Sequence, residues 1–251
     1  MLVSVCLPAR DEAATVGRIV RVVRALVEAG VVDELVVVDD GSTDETAAIS
    51  RNEGARVVTA DGSRPGSPIG KGGAMQTGLA ATSGDIVVYC DADVRNFTPE
   101  FVTRLIAPFR DPTVQFVKAY YERPLHDQPA GGGRVTELVA RPLISLLFPH
   151  LSRIRQPLAG ECAGRRDALE AVVFEAGYAV DLALIIDVAE RFGVDAIAQA
   201  DLGVRVHRNR SLEQLSGHSR AILAMALERA GLDVGDRGRS PRPVGGLPLR
   251  G

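Results

Sequence analysis

The chain has 251 residues, 46% of them hydrophobic and 24% charged, with a formal net charge of −3. That balance suits one large soluble domain, or one domain with a lobe, and gives no electrostatic reason to expect nucleic acid or an anionic membrane. No run approaches the roughly 18 apolar residues of a membrane-spanning helix, and Cys6, Cys90 and Cys162 are too few and too scattered for a disulfide framework or a cysteine zinc site.

Residues 2–7 are a short apolar run that Pro8 is expected to end. Without a basic region or cleavage signal before it, the run reads as a first strand rather than a signal peptide, and a cytoplasmic location with reduced thiols follows. Residues 15–30 carry apolar side chains at helical spacing, from Val16 and Ile19 to Leu26 and Val27, with arginines on other faces. Residues 31–38 return to a strand pattern, 46–52 form a short helix and 55–59 a third strand. Residues 61–70 are rich in Pro, Gly and Ser and form a loop. A helix runs from Lys71 to about Ser83, and Ile86 to Cys90 is a buried strand. Thr98 and Pro99 suit the N-cap and first position of another helix, and 114–121 is a further strand. Beyond a polar loop at 123–133, residues 134–147 form a helix interrupted at Pro142, and 156–164 read as irregular. Residues 167–173, 180–192 and 212–231 are helical, 196–202 is an edge strand, and the Gly-, Pro- and Arg-rich tail at 233–251 is expected to be disordered. Apolar strands alternating with amphipathic helices predict an α/β fold with a mainly parallel, doubly wound sheet covered on both faces.

In such sheets ligands collect beyond the carboxyl ends of the strands. Three strands here end in polar clusters, at Pro8-Ala9-Arg10-Asp11-Glu12, Asp39 to Asp44, and Asp91-Ala92-Asp93. Each alone has a bland reading, since Asp, Ser and Thr favour turns and helix caps. Together they point to a nucleotide site. Asp91 and Asp93, two apart on an extended chain, share a face and suit a divalent cation such as Mg2+ or Mn2+. Glu12, Asp39 and Asp40 are placed to accept hydrogen bonds from a base or ribose. Lys71, between Gly70 and Gly72 at a helix start, suits a diphosphate or is merely a solvated lysine. Neither a P-loop nor a dinucleotide-binding glycine motif is present.

Three motifs further on narrow the reading: Gly131-Gly132-Gly133-Arg134-Val135-Thr136, Gln156 to Glu161, and Arg205-Val206-His207-Arg208-Asn209-Arg210. With the strand-end clusters they resemble the glucosyl-3-phosphoglycerate synthases, retaining glycosyltransferases of the GT-A fold, over roughly residues 3–231. The related mannosyl-3-phosphoglycerate synthases, which use GDP-mannose, come close behind. The resemblance implies a donor half at 1–122, an acceptor half at 123–232 of the same domain, and a homodimer. It also implies transfer of glucose, from UDP-glucose above other donors, to the 2-hydroxyl of 3-phosphoglycerate. Pro8, Ala9, Arg10, Glu12, Asp39, Asp40, Lys71, Asp91, Ala92 and Asp93 would hold the donor. Asp93, His207 and Asp91 would hold the metal; Gly133, Arg134, Thr136, Arg205 and Asn209 would hold the acceptor. Asp181, Lys71 and Asp93 would be catalytic. One departure stands out. The family's Gly-Tyr-Gly-Val-Glu is here Gly177-Tyr178-Ala179-Val180-Asp181, with a carboxylate shorter by about a bond length, which also suits a helix cap. Other readings are a GT-A enzyme acting on polyprenyl phosphate or polysaccharide, a nucleotidyltransferase, and a non-catalytic nucleotide-sugar sensor.

Overall fold

The computed structural model describes residues 1–122, 133–206 and 212–232; the tail expected to be disordered, and His207 and Asn209, lie outside them. Seven strands form one sheet in the order β3-β2-β1-β4-β6-β5-β7. They are β1 (Val3–Ala9), β2 (Glu34–Asp39), β3 (Arg56–Thr59), β4 (Ile86–Tyr89), β5 (Phe116–Glu122), β6 (Cys162–Arg165) and β7 (Ile197–Val204). The first half alternates strands with α1 (Val16–Glu28), α2 (Thr46–Asn52), α3 (Lys71–Ala81) and α4 (Glu100–Ile106). In the second half come α5 (Arg141–Leu147), α6 (Arg166–Glu170), α7 (Val180–Phe192) and α8 (Leu212–Arg229). The strands alternate their side chains between two cores. Val5, Leu7, Ile86 and Val88 pack with α1 and α4 on one face. Cys6, Val87, Tyr89 and Cys162 pack with α3, α7 and α8 on the other. Cys6, Cys90 and Cys162 are buried and unbonded, as expected. Burial pushes the Cys162 thiol up to about 12.

Several boundaries differ from the sequence reading. Pro8 does not end β1. Pairing with β4 stops at Cys6 while pairing with β2 runs on to Ala9, so the proline falls where one neighbour has already finished. Val31 and Val32 belong to the exit of α1, where their N–H groups donate to Leu26, and β2 begins later. Pro99 caps α4 and Thr98 precedes the cap. The helix of residues 134–147 contains a wide π-type turn at Thr136–Ala140 before α5, so Pro142 falls where the helix restarts and its missing N–H costs little.

The largest correction is β6. Residues 162–164, read as irregular, join Arg165 in a central strand antiparallel to both β4 and β5. Cys-Ala-Gly-Arg lacks the β-branched or aromatic residues that mark strands. Small residues fit because Leu169 packs against Gly164, whose added Cβ would come within 2.7 Å of Leu169 Cγ. Arg165 Nε donates to Val114 O at 2.8 Å, and Arg166 Nε to Gly84 O at 2.9 Å, pinning the exit of the strand. Because β6 runs opposite to β4, its start lies beside the end of β4, and residues 160–161 meet Asp91.

Candidate active site

The ends of β1, β2 and β4, adjacent in the sheet, open on a cleft. Pro8, Ala9, Arg10, Glu12, Asp40, Lys71, Asp91, Ala92 and Asp93 all line it, joined by Gly70, Ala74 and Tyr178. Of the residues predicted on the donor side, Asp39 alone is absent from this lining; its Oδ1 accepts the Ser42 N–H at 3.3 Å and shapes the β2 turn. Asp40 is buried, and its carboxylate accepts the N–H groups of Ile69 and Gly70 at 2.8 and 2.9 Å, which fixes the loop entering α3.

The glycines flanking Lys71 lie close against protein backbone. Gly70 has φ +89°, and a Cβ on it would come within 3.0 Å of the Gly177 backbone. A Cβ on Gly72 would fall 1.8 Å from Glu175 O. The glycines therefore let the start of α3 press against the 175–180 segment, and this brings Lys71 to Asp181. Lys71 Nζ donates to both Asp181 carboxylate oxygens at 3.2 Å and lies 3.0 Å from Asp91 Oδ1. Burial works against its charge, but Asp181 and Asp91 overcome that and hold the ammonium above the usual lysine range. Asp181 sits within the first turn of α7 and does not cap it; the cap residue is Ala179.

The ion pairs continue across the base of the cleft. Arg205, delivered by the end of β7 and 4% exposed, reaches Asp91 Oδ2 at 2.7 Å and Asp93 Oδ1 at 2.8 Å through one nitrogen, Nη2. Its Nε lies 2.8 Å from Glu161 Oε1, a charge pair without hydrogen-bond alignment. Burial pushes the Glu161 carboxyl up, against the pull of Arg205. Beneath Asp181, Lys118 Nζ donates to its main-chain oxygen at 3.1 Å. Lys118, Asp181, Lys71, Asp91, Arg205, Asp93 and Glu161 thus form an unbroken series, with four carboxylates to three cations.

The family model for glycosyl transferase family 2 matches residues 4–172. A glucosyl-3-phosphoglycerate synthase of Mycobacterium tuberculosis is 47% identical over 240 residues, covering 92% of this chain and 74% of the relative. A crystal structure of the synthase from that organism, in complex with Mn2+, UDP-glucose and phosphoglyceric acid, matches with a TM-score of 0.85 and 46% identity. That match covers 94% of this chain and 82% of the other. Another, in complex with Mg2+ and UDP, matches with a TM-score of 0.84 at 46% identity, over 94% of this chain and 81% of that one. The chain belongs to the glucosyl-3-phosphoglycerate synthase family. It is a glycosyltransferase of the GT-A fold, as the sequence resemblance implied.

Within a synthase of this family a divalent cation is implied, and the residues present fit one. Asp91 and Asp93 converge closely enough for one guanidinium nitrogen to meet both, and hard oxygen ligands suit such ions. The chain leading to His207 is fixed at Val206, whose oxygen accepts the Arg95 N–H at 2.9 Å and whose N–H donates to Asn96 Oδ1 at 2.9 Å. On the predicted acceptor side, Gly133 has φ +86° and directly precedes the helical turn carrying Arg134, while Thr136 is buried. These three do not line the donor cleft among the described residues. Arg205, expected on the same side, lies at Asp91 and Asp93.

Sequence reasoning missed Lys118, and it placed Gly160, Glu161 and Tyr178 in motifs without assigning them to the site. Gly160 packs so tightly that a Cβ would fall 2.0 Å from Asp91 Oδ2. The polar Lys118 within the apolar strand pattern of β5 was the one signal in the sequence that marked a buried charge.

Proposed function

We propose that the protein transfers glucose from UDP-glucose to the 2-hydroxyl of 3-phosphoglycerate with retention of the anomeric configuration, using Mg2+ or Mn2+. The observation that carries this reading is the convergence of Asp91, Asp93 and Lys71 on the cleft at the end of β4. The M. tuberculosis synthase, solved with Mn2+, UDP-glucose and phosphoglyceric acid, supports the choice of substrates.

Asp91 and Asp93, with His207, would hold the cation, which when bound supplies positive charge to the departing diphosphate. Lys71 adds a fixed ammonium at the same place, so the developing charge meets groups already oriented. Arg205 holds the two carboxylates together and balances their repulsion. Glu12, Asp39 and Asp40 orient the nucleoside end, the Asp39 carboxylate through the β2 turn it shapes and the Asp40 carboxylate through the loop it fixes. Gly133, Arg134, Thr136 and Asn209 cradle the acceptor phosphate, where positive-φ glycine and a helix start favour an anion. The Lys71 ion pairs support a role for Asp181 in setting that lysine. Residues 1–122 and 123–232 serve as donor and acceptor halves of one domain. We also read the protein as a homodimer, to be checked by its mass in solution. Three buried free thiols support a cytoplasmic setting, and no helix among the described residues is long and apolar enough to cross a membrane.

A donor screen with UDP-glucose, ADP-glucose, GDP-glucose and GDP-mannose against 3-phosphoglycerate tests this, with and without divalent metal. UDP-glucose with metal should turn over fastest, and Asp93→Ala should cut that rate by at least about 100-fold. Preference for GDP-mannose, or a rate indifferent to metal, would overturn the donor or the metal assignment respectively.

A further inference from the structure

Lys118 is the member of the ion-pair series for which the transfer reaction has no direct use. It stands on β5 in a row of register partners, Cys6 on β1, Tyr89 on β4 and Cys162 on β6, all facing α3 and α7. Its side chain is 0% exposed. Two features make the position unfavourable for a cation. Burial strips the ammonium of water, and the start of α7 presents the positive end of the helix dipole. An apolar side chain of similar volume would suit the core at least as well. The compensating partner is Asp181. Lys118 Nζ donates to its main-chain oxygen at 3.1 Å and lies 3.5 Å from Oδ1. The same carboxylate accepts Lys71 from the cleft side, so two ammonium groups share one carboxylate, and Lys71 has Asp91 as a further partner.

We infer that Lys118 is a positioning residue for donor binding: by balancing Asp181 from beneath, it prevents a one-to-one pair between Asp181 and Lys71 and leaves the Lys71 charge available to a nucleoside diphosphate. The inference rests on the reading of the cleft as a nucleotide-sugar site. Lys71 lines the cleft and Lys118 does not, and the carboxylate that both ammonium groups meet is Asp181. Removing Lys118 leaves Lys71, already 3.2 Å from both Asp181 oxygens, to balance that carboxylate in a dry setting without the second ammonium.

The test is a double-mutant cycle in the full chain with Lys118→Met and Asp181→Asn. It is read on UDP affinity by calorimetry with Mg2+ and on KM and kcat for UDP-glucose. Lys118→Met alone should weaken UDP binding and raise the donor KM about tenfold, with kcat within about twofold of the parent, because ground-state binding is what is lost. In the Asp181→Asn background the same change should alter UDP affinity by less than about twofold, since no carboxylate remains to hold Lys71 back. A purely structural lysine would lower the melting temperature and leave UDP affinity unmoved. That result, or equal losses in both backgrounds, overturns the inference. Should Lys118→Met not fold, Lys118→Gln takes its place, keeping a donor for the Asp181 carbonyl without the charge. If neither folds, Lys118 serves the core and the inference fails. A parent chain that binds UDP but does not glucosylate 3-phosphoglycerate removes the proposed function and leaves the cycle interpretable; an active parent with an unaffected Lys118→Met variant does the reverse.

Discussion

Asp91 owes its orientation to contacts on three sides: Lys71 at 3.0 Å, Arg205 at 2.7 Å, and the backbone of Gly160. The glycine is the tightest of these, because a methyl group there would overlap the carboxylate itself. Gly160→Ala should therefore displace Asp91 and reduce turnover by about 100-fold, since small misplacements at a reacting centre are costly. A melting temperature near that of the parent would place the damage in the cleft, whereas parent-like turnover would show that Asp91 can move without consequence. At this scale the sequence was legible where residue type and strand end coincide, as with Asp91, Asp93 and Lys71. Gly160 and Glu161 belong to a motif the sequence marks, but nothing local in Ala-Gly-Glu reveals that an antiparallel strand start will be set against Asp91. Nor did the sequence show that Arg205 would meet Asp91, Asp93 and Glu161, since these partners are brought to it by distant strands.

The loops after β1 and β2 are tied together by Asp11, the one described non-glycine residue at positive φ (+53°). Its carboxylate accepts the Thr43 N–H at 2.7 Å, and its own N–H donates to Ser42 Oγ at 3.1 Å. Glu12 follows directly, with its N–H on Thr46 Oγ1 at 2.8 Å, so the strap sets the nucleoside side of the cleft. Asp11→Ala should cost about 1–2 kcal/mol through the lost hydrogen bonds and raise the donor KM. Asp11→Asn, which tolerates the left-handed backbone and keeps an acceptor oxygen, should stay within about 0.5 kcal/mol. Urea unfolding and donor KM check both, and equal effects of the two substitutions would show that the side-chain acceptor is unimportant. The elements that were readable are those with strong periodicity: α1, α2, α7 and the apolar runs of β2 and β4. The one strand that periodicity could not reveal was β6, where two neighbouring strands and a pair of arginines supply what four small residues do not.

Across the whole molecule, residues on either side of position 122 share one sheet, since β6 lies between β4 and β5. The opposite end of that sheet carries a separate pH-sensitive tie. Glu34 accepts Ser4 Oγ at 2.7 Å and Ser83 Oγ at 2.9 Å and pairs with Arg56 at 3.1 Å. Burial pushes its carboxyl up, yet these partners overcome that and hold it below its ordinary 4.5. A carboxylate depressed on folding stabilises the fold above that ordinary value and loses the contribution as pH falls through the folded one. Urea midpoints should therefore fall more steeply with acidification below pH 4.5 in the parent than in Glu34→Gln. Parallel curves would show that the tie contributes nothing. The same sheet presents its carboxyl ends to the cleft, and the reaction assigned there has one decisive product. Incubated with UDP-glucose, 3-phosphoglycerate and Mg2+, the protein should release UDP and form a single glucosyl-phosphoglycerate. Proton NMR should show glucose joined through the 2-hydroxyl with the donor's anomeric configuration kept. Free glucose with unmodified phosphoglycerate, or an inverted linkage, would contradict it.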